Sequence, residues 1–185
     1  MFPIDIDPSY QDISIRPVAI PRDSNDLAAI LKKVAFHPIW HLQSQEAIAE
    51  NSYQVLLQMP AYNAYILSHL ETTLFILEML PMNRTEFGQY YAEEPRDYFL
   101  QLNLSIDDSL TDTAVQALRA SLDGIFANPE INVRRLIFPL FYSEPGSLLN
   151  NILDETGFFI LQKKTDPRSP IFYAYPKTAI VNDLK

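Results

Sequence analysis

The chain has 185 residues, 48% of them hydrophobic and 20% charged, a balance that predicts one globular domain with a buried core. Its 23 acidic and 14 basic residues give a net charge of −9. This charge disfavours nucleic acid as a partner, because a phosphate-binding face needs clustered Lys and Arg.

No apolar run is long enough to span a bilayer, and the first residues lack the basic and apolar regions of a secretory signal. The absence of cysteine excludes disulfides and thiolate chemistry. We therefore expect a cytoplasmic protein with no membrane partner. Residues 1–11 are predicted to form an extended arm, and residues 12–185 a single domain.

The first half of the chain alternates strand and helix signals. Alternating apolar residues predict a strand over 12–20. Helical spacing predicts a helix over 24–36, with Ser24 as its N-cap, and a second helix over 44–59. Two β-rich runs, 63–70 and 72–81, have only Glu71 between them and predict a hairpin.

The second half predicts a strand over 98–104, with Phe99, Gln101 and Asn103 on one side. A helix over 111–127, capped by Thr111 or Asp112, and a strand over 131–141 follow. A helix over 146–156 stops at Gly157, and strands at 158–164 and 171–177 close the chain. The order β-α-α-β-β-β-α-β-α-β-β predicts an α/β fold, a mixed sheet of about seven strands with helices on both faces.

This order, together with a local block, resembles the GNAT superfamily of acyl-CoA N-acyltransferases. In LEMLPMNRTEFGQYY (77–91), a strand Glu is followed by a Gly-x-Tyr-Tyr pattern, here Glu78, Gly88, Tyr90 and Tyr91. The block is similar to one in the siderophore-biosynthesis and aminoglycoside-modifying branches. SIRPV (14–18) resembles the opening strand of the family, and LLNNILDETGF (148–158) its closing helix and turn. The likeness covers roughly residues 12–177.

The resemblance implies that acetyl-CoA or another acyl-CoA donates an acyl group to an amine or hydroxylamine of a small molecule, without a metal. The thioester arm would lie between two splayed parallel strands, along the backbone of Leu102, Asn103 and Leu104. The pyrophosphate would lie on the next loop and helix start, at Leu110, Thr111, Asp112, Thr113 and Ala114. The resemblance allows a homodimer, and the sequence does not decide the oligomeric state.

The loop itself departs from the family pattern. Where the family has an Arg and glycines, this chain reads DDSLTDTA (107–114), with Asp108 about at the Arg position and Thr111 about at the Gly. Carboxylates there would repel a pyrophosphate. This predicts a degenerate CoA site and, as the alternative function, a ligand- or partner-binding module. In a simpler interpretation, Asp112 and its neighbours only cap the helix.

Four residues are candidates for catalysis. Glu78 would orient or deprotonate the amine if it is partly buried, because burial raises the pKa of a carboxyl group. In the alternative interpretation, Glu78 lies at a strand edge and faces solvent. Gln101 stands where the siderophore branch has a His, and an amide cannot take a proton near pH 7. Tyr142 is a candidate acid toward the thiolate. Glu144, within SEPG (143–146), lies where that branch has an Asp-Asn pair.

Four aromatic and histidine side chains are candidates for binding the acceptor: His37, Trp40, Tyr90 and Tyr91. Each could equally pack in a core or anchor a loop. His37 and His41 are four residues apart, but Pro38 lies between them and no third ligand is evident, which disfavours zinc. The basic pair Arg134 and Arg135 is predicted to include an ion pair with a carboxylate.

Overall fold

The computed structural model describes residues 2–31, 54–84, 96–140, 147–162 and 170–176. Seven strands lie in these ranges: β1 (Ile13–Pro17), β2 (Asn63–His69), β3 (Thr72–Pro81), β4 (Asp97–Leu104), β5 (Arg135–Leu140), β6 (Phe159–Gln162) and β7 (Ile171–Tyr175). The helices are α1 (Ser24–Leu31), α2 (Thr111–Ala127) and α3 (Leu148–Thr156), with a further helical turn at residues 54–56.

The seven strands form one mixed sheet in the order β1-β2-β3-β4-β5-β7-β6. Strands β4 and β5 are parallel, and the other neighbouring strands are antiparallel. The predicted hairpin is confirmed, with Ile66 of β2 opposite Ile76 of β3. The architecture confirms the predicted α/β fold.

Helices cover both faces of the sheet, as the sequence predicts. On one face, Leu100 and Leu102 of β4 pack in a core that includes Leu118 of α2 and Ile152 of α3. On the other, Leu27 of α1 joins a separate core beneath β2 and β3. The alternation along β4 is thereby confirmed, because successive side chains of a strand point to opposite faces.

Strands β4 and β5 pair over only three positions, which end at Phe99 opposite Ile137. Within the described residues, Leu100–Leu104 has a ladder with β3 but none with β5. The two parallel strands therefore separate halfway along β4. We call the part of β4 from Leu100 to Leu104 its open end.

Several boundaries differ from the predicted ones. The strand predicted over 131–141 begins only at Arg135, because Asn132 adopts a left-handed φ of 50° and interrupts the extended backbone. The helix predicted to reach residue 59 gives way to a turn after Leu56, where Met59 N–H bonds to Leu56 O. The rest of that helix, and the end of the one predicted over 24–36, lie outside the described residues.

The predicted N-cap of α1 is wrong. Ser24 is already helical, and in the described part of the chain its buried Oγ has no hydrogen-bond partner. The carboxylate of Asp23 instead accepts hydrogen bonds from Arg16, Arg22 and the N–H of Ala19, at 2.6–2.9 Å. Burial opposes its ionisation, but these bonds outweigh burial and lower the pKa of Asp23 to about 2.

At the end of α3 the predicted C-cap is confirmed. Gly157 adopts a left-handed φ of 103°, and its N–H bonds to the carbonyls of Leu153 and Asp154. This conformation is the one in which glycine has no steric penalty.

The N-terminal arm packs against α2. Ile4 is buried in the larger core, and Phe2 O accepts a hydrogen bond from Tyr65 Oη at 2.9 Å. The arm passes so close to Gly124 that a Cβ there would lie 2.5 Å from Ile4 Cγ2. None of the helices in the described ranges combines the length and apolar character needed to cross a bilayer.

Candidate functional site

The open end of β4 carries a buried polar cluster on the sheet face covered by α1. We call it the Glu78 cluster, and its members are Tyr62, Glu78, Gln101 and Asn103. All four are nearly inaccessible to solvent, from fully buried Glu78 to Gln101 at 7% exposure. Gln101 lies two residues beyond the last β4–β5 pair, so the cluster is located where the strands separate.

Glu78 is the centre of this cluster. Its Oε2 accepts a hydrogen bond from Tyr62 Oη at 2.8 Å, and its Oε1 accepts one from Asn103 Nδ2 at 2.6 Å. Gln101 lies directly opposite Glu78 in the antiparallel ladder, so Asn103 reaches the carboxylate from the diagonal position. The solvent-facing alternative for Glu78 is wrong, because Glu78 is fully buried and lies between Ala64 of β2 and Gln101 of β4.

The hydrogen bonds to Glu78 determine how the side-chain amides of Asn103 and Gln101 are oriented. Because Asn103 uses Nδ2 toward the carboxylate, its Oδ1 must face Gln101 as an acceptor. Gln101 donates through Nε2, which is 3.4 Å from Asn103 Oδ1 and 3.3 Å from Leu102 O. Its own Oε1 is thereby directed elsewhere. In the described part of the chain, this buried Oε1 has no hydrogen-bond partner.

At the opposite end of β4, a buried carboxylate is paired with two guanidinium groups. Asp97 is 1% exposed and accepts hydrogen bonds from Arg134 at 3.0 and 3.2 Å and from Arg135 at 2.8 Å. The predicted ion pair is confirmed, and both arginines take part in it. They tie the start of β4 to the start of β5, where the two strands are still in register.

The acidic turn after β4 faces outward, since Asp107, Asp108 and Asp112 are all exposed. Asp107 caps a short 3-10 turn (Asp108–Leu110), accepting from the N–H and Oγ of Ser109. The prediction that Thr111 or Asp112 caps α2 is wrong. Leu110 occupies the N-cap position without a side-chain hydrogen bond, and Thr111 Oγ1 bonds back to Asp108 O.

The first turn of α2 therefore begins without a capping side chain. The N–H groups of Leu110 and Thr111 bond to Asp107 O and Asp108 O in the preceding 3-10 turn, and the positive end of the helix dipole lies at this turn. Thr113 is half-buried and Ala114 is buried. Leu102 and Leu104 lie on the α2 side of β4, opposite the Glu78 cluster, with Leu104 only partly buried.

Six predicted site residues lie outside the described residues: His37, Trp40, Tyr90, Tyr91, Tyr142 and Glu144. His41, the second histidine weighed for zinc, is also outside them. Among the residues that are described, no three His, Asp or Glu side chains come together as a metal site would require.

Sequence reasoning missed the role of Tyr62 and the side-chain role of Asn103. Tyr62 lies one residue before the strand predicted over 63–70, although its side chain packs in the same core as Ala64 and Ile66 of that strand. Asn103 was expected to contribute backbone only, although a polar residue on the buried side of a strand is a signal in itself. The register of β3 against β4 brings Asn103 to Glu78, and the pairing of β2 with β3 brings Tyr62 there.

Comparison with known proteins finds similarity in structure alone. No family model matches the sequence, and no curated protein matches it. The chain is similar to the aminoglycoside acetyltransferase AAC(6')-Ib solved with ribostamycin and coenzyme A (TM-score 0.70, 16% identity, covering 95% of this chain and 99% of that one). An uncharacterized protein from Bacillus halodurans gives a TM-score of 0.70 at 13% identity, covering 92% and 86%.

A third similar structure is a spermidine N-acetyltransferase chimera from Vibrio cholerae and hSSAT (TM-score 0.62, 13% identity, covering 89% of this chain and 93% of that one). The similar structures span nearly the whole chain and include acetyltransferases of the GNAT class. The chain therefore has the GNAT fold, as its sequence predicts.

Proposed function

We propose that this protein is an acyl-CoA-dependent N-acyltransferase that acts on an amine or hydroxylamine of a small molecule. The observation that carries the proposal is the separation of β4 from β5 after Phe99. Among the described residues, it leaves one side of the open end without a strand partner, and backbone groups of a sheet interior require partners. Among the similar structures, AAC(6')-Ib was solved with coenzyme A.

The residues at this end of β4 fit an acyl-CoA donor. The backbone of Leu102, Asn103 and Leu104 would hold the amide-containing arm as an added strand would be held. The start of α2, at Leu110 to Ala114, would receive the pyrophosphate at the positive end of its dipole. The N–H groups of Leu110 and Thr111 would exchange their bonds to Asp107 O and Asp108 O for bonds to phosphate. The carboxylates of Asp107, Asp108 and Asp112 are exposed, where water and salt screen their repulsion.

Acyl-CoA would supply an activated carbonyl carbon and a thiolate leaving group. The acceptor nitrogen forms the new C–N bond while the C–S bond breaks. The nitrogen gives up one proton, and the thiolate takes up one. The Glu78 cluster lies beside this opening, and we propose that it positions the nitrogen. Tyr142 and Glu144 stay proposed proton donors, and His37, Trp40, Tyr90 and Tyr91 stay proposed acceptor contacts.

Thermal unfolding with acetyl-CoA tests donor binding. A ligand at 100 times its Kd stabilises the folded state by about 2.7 kcal/mol, which for a chain of this size raises Tm by about 5–10 °C. We expect a rise of this order at millimolar acetyl-CoA. The matched control is adenosine, which lacks the pantetheine arm and pyrophosphate. No rise with acetyl-CoA or a longer acyl-CoA would contradict the proposal.

The second candidate is a GNAT-like module that binds a ligand or partner chain and no longer binds CoA. The observation that favours it is the segment 105–114, the turn after β4 and the first residues of α2, which has three exposed carboxylates and no glycine. A module of this kind would bind amines without acyl transfer. Mass spectrometry of an amine panel incubated with acetyl-CoA separates the two, because only the enzyme adds 42 Da to an amine.

A further inference from the structure

We propose that Gln101 Oε1 is the group that binds the nucleophilic nitrogen of the acceptor, by accepting one of its N–H bonds. This role rests on the proposed N-acyltransferase function and deepens it. It also restricts the acceptor to molecules that bring an N–H donor into the gap between β4 and β5.

The first support is the unpaired carbonyl oxygen. Gln101 is 93% buried, and within the described ranges its Oε1 has no donor. A buried acceptor without a partner destabilises a fold by the full cost of its lost hydration. A group in this state is expected where a ligand supplies the missing donor.

The second support is that the neighbouring side chains hold Gln101 in this orientation. Both carboxyl oxygens of Glu78 accept hydrogen bonds, Oε2 from Tyr62 Oη and Oε1 from Asn103 Nδ2 at 2.6 Å, so Asn103 presents its amino group to Glu78. Asn103 Oδ1 in turn requires the Nε2 of Gln101. Reversing the Gln101 amide would place two acceptor oxygens against each other. Glu78 therefore acts as a positioning residue for an acceptor atom that it does not touch.

The third support is location. Gln101 is the first residue beyond Phe99 on the α1 face of β4, and Phe99 is in the last pair with β5. A nitrogen bound to its Oε1 would thus lie at the separation of the strands, beside the backbone proposed to hold the donor.

Two variants of Gln101, each with a matched control on the exposed Gln116 of α2, test this role. Gln101→Met keeps the length of the side chain and removes the acceptor, whereas Gln101→Glu keeps an acceptor and adds negative charge. The controls are Gln116→Met and Gln116→Glu. The readouts are kcat and KM for a panel headed by kanamycin and spermidine, and the Tm shift caused by each amine with and without CoA.

We expect Gln101→Met to raise the KM for the accepted amine about tenfold, the loss of one good hydrogen bond. Its acetyl-CoA-induced Tm shift should equal that of wild type. Gln101→Glu should keep or lower KM for a cationic amine. A merely structural amide would make both variants lose amine binding in parallel with their own loss of Tm, and that result would overturn the role.

Equal KM values for Gln101→Met and Gln116→Met would also overturn it. If wild type shows no acetyl-CoA shift, the proposed enzyme function fails separately. The amine-induced Tm shifts then still decide the role of Gln101. A wild-type shift that is lost in Gln101→Met supports it, and no shift with any amine of the panel overturns it.

Discussion

Strand β4 begins at Asp97, where two arginines neutralise a buried carboxylate, and it runs on to Gln101, where a buried carbonyl oxygen has no donor among the described residues. At its start, β4 pairs with β5, and beyond Phe99 that pairing ends. The Asp97 carboxylate and the Gln101 carbonyl oxygen lie about four residues apart on one strand, and of these two groups only the carboxylate is paired within the described ranges. We call the start of β4 the satisfied end, because its carboxylate accepts from both arginines. The open end carries the oxygen that we propose for ligand binding.

The largest expected effect comes from breaking the satisfied end. In Asp97→Ala, Arg134 and Arg135 would be left without their buried carboxylate, and removing one partner of a buried ion pair costs about 3–5 kcal/mol. Urea unfolding should show this loss in the free energy of unfolding. The control is Asp154→Ala, at an exposed position of α3, which should change it by no more than about 0.5 kcal/mol. A similar small change in Asp97→Ala would contradict the structural role of this end.

A second satisfied carboxylate, Asp23, extends the comparison through pH. Its folded pKa of about 2 lies below the unfolded value of about 3.9. Its stabilisation is therefore complete above the unfolded pKa and is lost as pH falls through the folded one. The shift corresponds to about 2–3 kcal/mol.

Urea unfolding of wild type and Asp23→Asn between pH 6 and pH 2 measures this contribution. We expect the variant to be less stable at pH 6 and the difference to shrink toward pH 2. Asp154→Asn should follow wild type across the range. A constant difference between Asp23→Asn and wild type at all pH values would show that ionisation of Asp23 contributes nothing.

The smallest expected effect concerns the turn that follows the open end. Asp108→Arg reverses one exposed charge beside the uncapped start of α2, and an exposed charge contributes about 1 kcal/mol or less. We expect the Kd for CoA, measured by calorimetry in low salt, to fall about three- to fivefold. High salt should remove most of this gain. The same charge change on α3, Asp154→Arg, should leave Kd unchanged.

If Asp108→Arg leaves the affinity unchanged, electrostatic repulsion is not what limits CoA binding at this turn. The lack of glycine, which restricts how closely the backbone approaches a phosphate, would then be the stronger obstacle.

Sequence patterns predicted the elements whose period is long and regular. The bounds of β3 and α2 agree with the predicted ones, because each has an unbroken pattern and clear flanking residues. The start of β5 was misplaced, since Ile131 and Val133 continue the apolar alternation while Asn132 turns the backbone at φ 50°. The alternation of apolar residues does not show where one residue with a positive φ interrupts a strand.

The candidate site was predictable only in part. Glu78 and Gln101 were singled out by the resemblance to the GNAT family, but the hydrogen bonds from Tyr62 and Asn103 depend on the register of β2, β3 and β4. The N-cap predictions were wrong for a related reason. Ser, Thr and Asp favour N-caps in general, but the 3-10 turn before α2 moves the N-cap to Leu110.

Hydrogen exchange tests the contrast between the two ends of β4 most directly. Amide exchange would be followed by mass spectrometry on wild type with and without saturating acetyl-CoA. We predict slower exchange in peptides that cover Leu100–Leu104 and residues 110–114, and no change over Asp97–Phe99. Unchanged exchange at the open end, or equal slowing along the whole strand, would contradict a donor site where β4 and β5 separate.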